Sequence, residues 1–197
     1  MTTLIGQKAP NFKTKAAKAA QFEDIELSQY LGQYVLLFFY PLDFTFVCPT
    51  ELLAFQDKLE EFKKLNTVLL GCSIDSHFTH RAWLNTPIEQ GGIKGVEYSL
   101  LSDIGGKIAD SYGILNNEGV AYRAWFLINK EGIVCHTLVN DLPLGRSVDE
   151  AIRITQALKY FEQEGEVCPA NWNKGESAFK PTHEGVSEYL DRKYNKI

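Results

Sequence analysis

The sequence predicts an α/β fold with strands buried on both faces, and three observations carry that prediction. Residues 34–40 read Tyr-Val-Leu-Leu-Phe-Phe-Tyr, a continuous apolar run of strand length. Leu52, Phe55, Leu59 and Phe62 then recur at helical spacing. Residues 67–74, Thr-Val-Leu-Leu-Gly-Cys-Ser-Ile, form a second apolar run. Strand, helix and strand within about forty residues make a βαβ unit, whose crossover is expected to be right-handed.

Each element has a local cause. Pro41 ends the first strand. A helix over residues 49–65 keeps Glu60, Glu61, Lys63 and Lys64 largely off its apolar face, and Pro49 suits a first turn, where a missing N–H costs nothing. Cys48 therefore sits at that helix's N-terminus. A shorter helix is expected over residues 78–84, a loop at Gly91-Gly92, and a short helix over residues 106–112 stopped by Gly113. Residues 122–129 and 133–140 read as strands joined by Lys130-Glu131-Gly132, a hairpin signal. Ser147 and Glu150 form a capping box for a helix striped by Ala151, Ile154, Leu158 and Phe161 and ended by Gly165. Beyond Glu166 the periodicity breaks, and Cys168-Pro169, Gly175 and Pro181 punctuate a polar tail. Trp172, Phe179 and Tyr189 in that tail are costly to leave wet and should be covered, a second subunit being one candidate. The expected organisation is a domain over residues 1–165 and an arm over residues 166–197.

Bulk properties narrow the function. A chain of 197 residues, 45% hydrophobic and 23% charged, suits one soluble globular domain or a domain with a tail, and can bury a core without staples. Net charge of -5 with no Lys/Arg run argues against a nucleic-acid partner. No apolar run reaches membrane-spanning length, and Met-Thr-Thr-Leu-Ile-Gly-Gln-Lys at the start lacks a secretory pattern, so a cytoplasmic location is expected. In that compartment the four cysteines, Cys48, Cys72, Cys135 and Cys168, stay reduced unless they do redox chemistry or bind metal, and their count does not choose between the two.

Cys48 is the candidate nucleophile. At a helix N-terminus a thiolate faces unpaired N–H groups and the positive end of the helix dipole, and the thiolate is the reactive form. The competing reading is an inert cysteine in an apolar neighbourhood, which is common. Pro41, Thr45 and the strand–loop–helix setting weigh against it. The spacing is Cys48-Pro49-Thr50-Glu51, so no C-x-x-C dithiol is present.

Residues 41–51 resemble the active-site signature of the peroxiredoxins, P-x-x-x-T-x-x-C, and the longer string Phe-Tyr-Pro-Leu-Asp-Phe-Thr-Phe-Val-Cys-Pro-Thr-Glu resembles the typical two-cysteine branch. The resemblance runs along nearly the whole chain: Ala-Pro-Asn-Phe at 9–12, Gly-Cys-Ser-Ile-Asp at 71–75, Phe78-Thr79-His80 with Ala82-Trp83, Asn-Asp-Leu-Pro-Leu-Gly-Arg-Ser at 140–147, and Gly-Glu-Val-Cys-Pro-Ala-Asn-Trp at 165–172. It implies a thioredoxin-like fold, a central mixed sheet with helices on both faces and a C-terminal arm. It also implies a peroxidase that takes hydrogen peroxide and organic hydroperoxides without a cofactor or metal.

The same resemblance assigns roles. Cys48 would attack the peroxide. Thr45 would bond both sulfur and peroxide, Arg123 would stabilise the thiolate and polarise an oxygen, and Pro41 would shield the sulfur. Glu51 would orient the arginine, Tyr40 would line the site, and Arg146 would support it. Read on their own, Arg123 suits a solvated edge or an ion pair, Glu51 an ordinary first-turn glutamate, and Phe38 and Phe39 plain core. Cys168 matches the resolving cysteine, which in this branch comes from the other subunit of a homodimer. Such dimers often assemble in rings of five, as decamers. A thioredoxin-like protein or a flavoprotein disulfide reductase would reduce the resulting disulfide. Cys72 and Cys135 read as structural cysteines in buried strands. A metal site of Cys135 and His136 with His77 or His80 lacks structural-zinc spacing, and His80 is expected to pack or hydrogen-bond.

Two departures stand out. Many eukaryotic members carry Gly-Gly-Leu-Gly and a C-terminal Tyr-Phe pair, which hold the site folded and expose it to over-oxidation. Here the loop is Gly91-Gly92-Ile93-Lys94-Gly95 and the pair is Tyr189-Leu190. Easy local unfolding and resistance to over-oxidation are therefore expected. Three rivals stand beside the peroxidase: a thiol-disulfide oxidoreductase, which lacks C-x-x-C; a cysteine hydrolase, which needs a histidine base that no motif supplies; and a holdase chaperone activity of a ring oligomer, which would be a second function.

Overall fold

Among residues 3–19 and 21–195, which the computed structural model describes, seven strands form one mixed sheet. They are β1 (Lys13–Lys18), β2 (Gln21–Glu26), β3 (Tyr34–Phe39), β4 (Thr67–Ser73), β5 (Ser99–Ser102), β6 (Arg123–Ile128) and β7 (Val134–Asn140), in the order β2-β1-β5-β4-β3-β6-β7. The central β3, β4 and β5 run parallel, with Leu37 opposite Leu70 and Cys72 opposite Leu101. The flanking β1 and β6 run antiparallel to them, Phe39 lying opposite Ala124. The hairpin of β6 and β7 forms where the sequence predicts it. The N-terminal β1–β2 hairpin and the short β5 are additions that the apolar pattern does not announce.

Both faces of β3 are covered, which explains its unbroken apolar sequence. On one face Val35, Leu37 and Phe39 join Leu70, Cys72 and Phe126 in a cluster with Ile108 and Ala109 of α4 (Lys107–Ser111) and the following Tyr112. On the other, the Phe38 ring stacks on Phe55 of α1 (Cys48–Asp57) at 4.3 Å, and Phe55 also meets Phe62 of α2 (Leu59–Lys64). Burying Phe55 and Phe62 stabilises this layer by roughly 1.5–3 kcal/mol for each ring. Gly71 makes room: a Cβ there would lie 2.8 Å from Leu100 and 3.0 Å from the Phe38 ring.

The expected single helix over residues 49–65 is two helices. Lys58 breaks it, with φ −101° and ψ 3°. Leu52, Phe55, Leu59 and Phe62 are buried on both sides of the break, so an apolar stripe cannot report it. Helix α3 (His77–Asn85) is capped by Ser76, whose hydroxyl accepts the Thr79 N–H, and it packs on β1 and β5. Cys135 on β7 is half-buried, not buried as expected, because β7 is the sheet edge.

The chain divides into two units, Met1–Val148 and Asp149–Ile197. The second holds nearly all of α5 (Val148–Glu164) and a further helix, α6 (His183–Tyr194). Trp172 and Tyr189 are buried and Phe179 is half-buried without a second subunit, whereas Phe161 and Tyr194 stay exposed. Trp172 is 1% exposed, packs on Tyr160 and donates Nε1–H to the Glu176 carbonyl at 3.0 Å, while Arg153 donates to the Trp172 carbonyl at 2.9 Å. Phe179 packs on Tyr189 at 4.9 Å. The tail expected to be irregular thus carries α6, whose apolar residues Val186, Tyr189 and Leu190 are too sparse to announce it. Among the described residues, no helix is long and apolar enough to cross a membrane.

Candidate active site

Strand β3 delivers its C-terminal end to the site. The Tyr40 N–H continues the ladder by donating to the Cys72 carbonyl at 3.0 Å, and the chain then leaves the sheet at the buried Pro41. After a loop through Val47, helix α1 begins at Cys48 itself, with Pro49 in the first turn. The sulfur is buried. Thr45 Oγ1 lies 2.9 Å from Cys48 Sγ and 2.9 Å from the Leu42 carbonyl. One hydroxyl proton serves one of these at a time. With a thiol at position 48 the hydroxyl can donate to Leu42, and with a thiolate it can turn to the sulfur.

Arg123 comes from the first residue of β6, antiparallel to β3, which places it across from the β3 end. Its Nη1 lies 3.4 Å from Cys48 Sγ and 2.9 Å from Glu51 Oε2, and its Nε donates to the Leu142 carbonyl. Glu51, one turn into α1, is 3% exposed and receives three further bonds from Arg146: the backbone N–H and Nε–H to Oε1, each at 2.8 Å, and Nη2–H to Oε2 at 2.9 Å. Arg146 Nη1 in turn donates to the carbonyls of Phe39 and Ala124, tying the network to β3 and β6. Burial pushes the Glu51 carboxyl up, but the hydrogen bonds and charge of Arg146, with Arg123, outweigh it and hold the group below its ordinary range. Two guanidiniums share one carboxylate, so an excess positive charge remains beside the sulfur.

Seven of the eight residues predicted for the site lie in this one region. Thr45, Arg123, Glu51 and Arg146 contact Cys48 or one another, and Pro41 is buried in the connecting loop. Tyr40 is fully buried, but its hydroxyl donates to Asp43 at 2.8 Å, so it adjoins the site through the loop. The eighth, Cys168, belongs to the second unit, half-buried, with Sγ 3.6 Å from the Ala157 carbonyl. Burial pushes its thiol up, Arg153 opposes this and Glu166 adds to it. All four cysteines are free thiols. Cys72 is buried among apolar residues, and burial pushes its thiol well up, consistent with a packing role. His80 is fully buried and hydrogen-bonded, as expected. Sequence reasoning missed Asp43, which bonds both Tyr40 and His80. Its only sequence signal was a carboxylate inside a loop whose only other polar side chain is Thr45.

This arrangement suits a reaction that moves charge from sulfur onto a departing oxygen, because fixed donors surround the sulfur in a site where water is scarce. Residues 5–137 match the AhpC/TSA family, and residues 157–192 match the C-terminal domain of 1-Cys peroxiredoxin. The chain is 50% identical over 189 residues to peroxiredoxin-2 of Mus musculus, covering 95% of this chain and 96% of that one. It is 50% identical over 190 residues to peroxiredoxin-1 of Gallus gallus, with 95% and 96% covered. The reduced 2-Cys peroxiredoxin of Plasmodium vivax superposes with a TM-score of 0.94 at 49% identity, over 96% of this chain and 100% of that one. AhpC of Enterococcus faecalis gives a TM-score of 0.79 at 35% identity, over 85% and 100%.

Proposed function

The chain belongs to the peroxiredoxins of the AhpC/TSA family and is a thiol-dependent peroxidase, and we propose that Cys48 is its attacking sulfur and Cys168 the resolving one. The observation that carries the assignment is the placement of Cys48 Sγ between Thr45 Oγ1 at 2.9 Å and Arg123 Nη1 at 3.4 Å, at the start of α1.

The thiolate of Cys48 attacks the terminal oxygen of a hydroperoxide. A sulfur–oxygen bond forms as the O–O bond breaks, and the leaving oxygen takes a proton to depart as water or alcohol. Thr45 donates along this path. Arg123, held by Glu51 and the Leu142 carbonyl, stabilises both the initial thiolate and the departing oxygen. Arg146 keeps Glu51 fixed, and Pro41 keeps water from the sulfur.

The product is Cys48 sulfenic acid. The Cys168 thiolate of a partner subunit attacks that sulfur, hydroxide leaves and is protonated to water, and an intersubunit disulfide remains. The Cys48 end must leave its helix for this bond to form, since disulfide geometry tolerates only a short span between Cα atoms. A dithiol reductant, thioredoxin-like or a flavoprotein disulfide reductase, then regenerates both thiols. The enzyme works in the cytoplasm as a homodimer that assembles further into a ring of five dimers.

Non-reducing electrophoresis with disulfide mapping tests the pairing. One equivalent of hydrogen peroxide should convert the protein to a covalent dimer linked Cys48 to Cys168. A monomer band, or a bridge to Cys72 or Cys135, would overturn the assignment.

A further inference from the structure

Beside the loop that leads to Cys48 lies a buried polar network that the chemistry at the sulfur does not use. The Tyr40 hydroxyl donates to Asp43 Oδ1 at 2.8 Å, Asp43 Oδ2 lies 2.8 Å from His80 Nδ1, and His80 Nε2 lies 3.0 Å from the Leu101 carbonyl. Tyr40 and His80 are fully buried and Asp43 nearly so. The Asp43 N–H donates to Asp75 Oδ2 at 2.8 Å, and the Ser73 hydroxyl donates to the same oxygen at 2.7 Å. The titratable groups facing the pair are thus Tyr40 from the end of β3 and Asp75 beyond β4. Strand β5 presents a backbone carbonyl, and α3 presents the Trp83 ring against Tyr40.

The geometry fixes the number of protons. A carbonyl oxygen only accepts, so His80 Nε2 must carry a hydrogen. The Asp43–His80 contact needs another between Oδ2 and Nδ1. Whichever of those two atoms holds it, the pair as a whole is neutral. Removing one proton leaves either a buried uncompensated carboxylate or a ring lone pair aimed at the Leu101 carbonyl, and both are costly in a site closed to water. Neighbours offset little of the change: Asp75 opposes added negative charge, and Tyr40, whose hydroxyl lies 2.8 Å from Asp43 Oδ1 and 3.5 Å from His80 Nδ1, stays a neutral donor because burial, reinforced by Asp43, pushes its phenol far up.

We propose that Asp43 and His80 are positioning residues for the reaction at Cys48, joined by a proton whose presence holds the 41–47 loop closed. His80 on α3 and Leu101 on β5 belong to the scaffold, whereas Asp43 sits in the loop between Pro41 and Thr45. The hydrogen bond between them clamps the segment that sets Thr45 against the sulfur. Loss of the proton as pH rises releases the clamp. Closed, the loop favours attack on peroxide; open, it frees the Cys48 end for the disulfide. The inference rests on Cys48 being the attacking sulfur, but closure of the loop is measurable without any chemistry.

The discriminating variant is Asp43→Asn. Its Oδ1 still accepts from Tyr40, its Nδ2–H donates to Nδ1 of a neutral His80, and Nε2–H still reaches Leu101. Every bond survives with no labile proton. His80→Gln, by contrast, cannot span both partners. Hydrogen exchange of the loop peptide is followed by mass spectrometry in the reduced full-length protein as pH is raised, after correction for intrinsic exchange. Disulfide formation is timed in parallel samples given one equivalent of peroxide. In the wild type, loop exchange should rise roughly tenfold or more while the sheet stays protected, the scale expected when one buried polar group loses its partner. Disulfide formation should accelerate with it. Asp43→Asn should show neither rise, and His80→Gln should be open throughout. A flat wild-type profile overturns the proposal even if neither variant folds, and so does an Asp43→Asn profile that rises like the wild type. If the exchange behaves as stated but a Cys48→Ser protein still consumes peroxide, the clamp stands and the assignment of Cys48 fails.

Discussion

Glu51 accepts three of its four hydrogen bonds from Arg146 alone, through the backbone N–H, Nε and Nη2, and accepts the fourth from Arg123. Arg123 is therefore positioned by a carboxylate that is itself immobilised. Glu51→Gln should leave both guanidiniums buried with an uncompensated charge, costing about 3–5 kcal/mol of stability. The acid branch checks this. The folded carboxyl lies below the ordinary glutamate value of 4.5, so its contribution is complete above that pH and is lost as pH falls through the depressed folded value. Acid denaturation profiles of wild type and Glu51→Gln should keep a constant separation above pH 4.5 and draw together as pH falls from there through the depressed folded value; profiles that stay parallel throughout would show that the carboxylate contributes nothing through its charge.

Thr45 and Arg123 donate to the same sulfur from different elements. Thr45→Val should lower the rate constant for peroxide reduction by about 10²–10³-fold, the range for removing one aimed donor, and Thr45→Ser should retain most of it. Arg123→Lys should not rescue, because a point charge cannot serve Glu51, Leu142 and the sulfur from one plane. Stopped-flow fluorescence reads all three. Equal rates for the valine and serine variants would show that the hydroxyl is idle.

Cys168→Ser should consume its first equivalent of peroxide at the wild-type rate and then stop, with no covalent dimer and no turnover on a thioredoxin-like reductant. Steady-state turnover in that variant would show that another thiol resolves the sulfenic acid.

The altered loop is closely packed. Gly92 is pressed so closely on Thr86 that a Cβ would lie 1.9 Å from its carbonyl oxygen, Gly91 has φ 75°, and Ile93 is fully buried. The altered C-terminal pair places Tyr189 in a buried contact with Phe179, while Leu190 is 47% exposed. The expectation of resistance to over-oxidation is checked by mass spectrometry after graded peroxide. Cys48 sulfinic acid should stay minor until peroxide is in large excess, and abundant sulfinic acid at low doses would contradict it.

Much of this was legible in the residues. Strand β3 could be read because burial on both faces leaves an unbroken apolar run, and Cys48 could be placed because Pro49 and the Leu52–Phe55 stripe mark a helix start. Glu51 and Arg123 were named through the peroxiredoxin resemblance; spacing alone joins nothing 72 residues apart, whereas the β3–β6 pairing brings them to 2.9 Å. The break at Lys58 was hidden because the stripe runs through it. Helix α6 was hidden because Gly185 sits in its first turn and few apolar residues follow. The Asp43–His80 pair was hidden because its partners come from a loop, a helix and a strand carbonyl.

The central claim is that the surroundings of Cys48 make its sulfur an efficient nucleophile toward peroxide. Stopped-flow reduction of hydrogen peroxide by the reduced protein, with free dithiothreitol measured alongside, tests it most directly. The predicted result is a second-order rate constant orders of magnitude above that of the free thiol, abolished in Cys48→Ser and retained in Cys72→Ser. A rate no greater than the free thiol's, or one that survives loss of Cys48, would contradict the account.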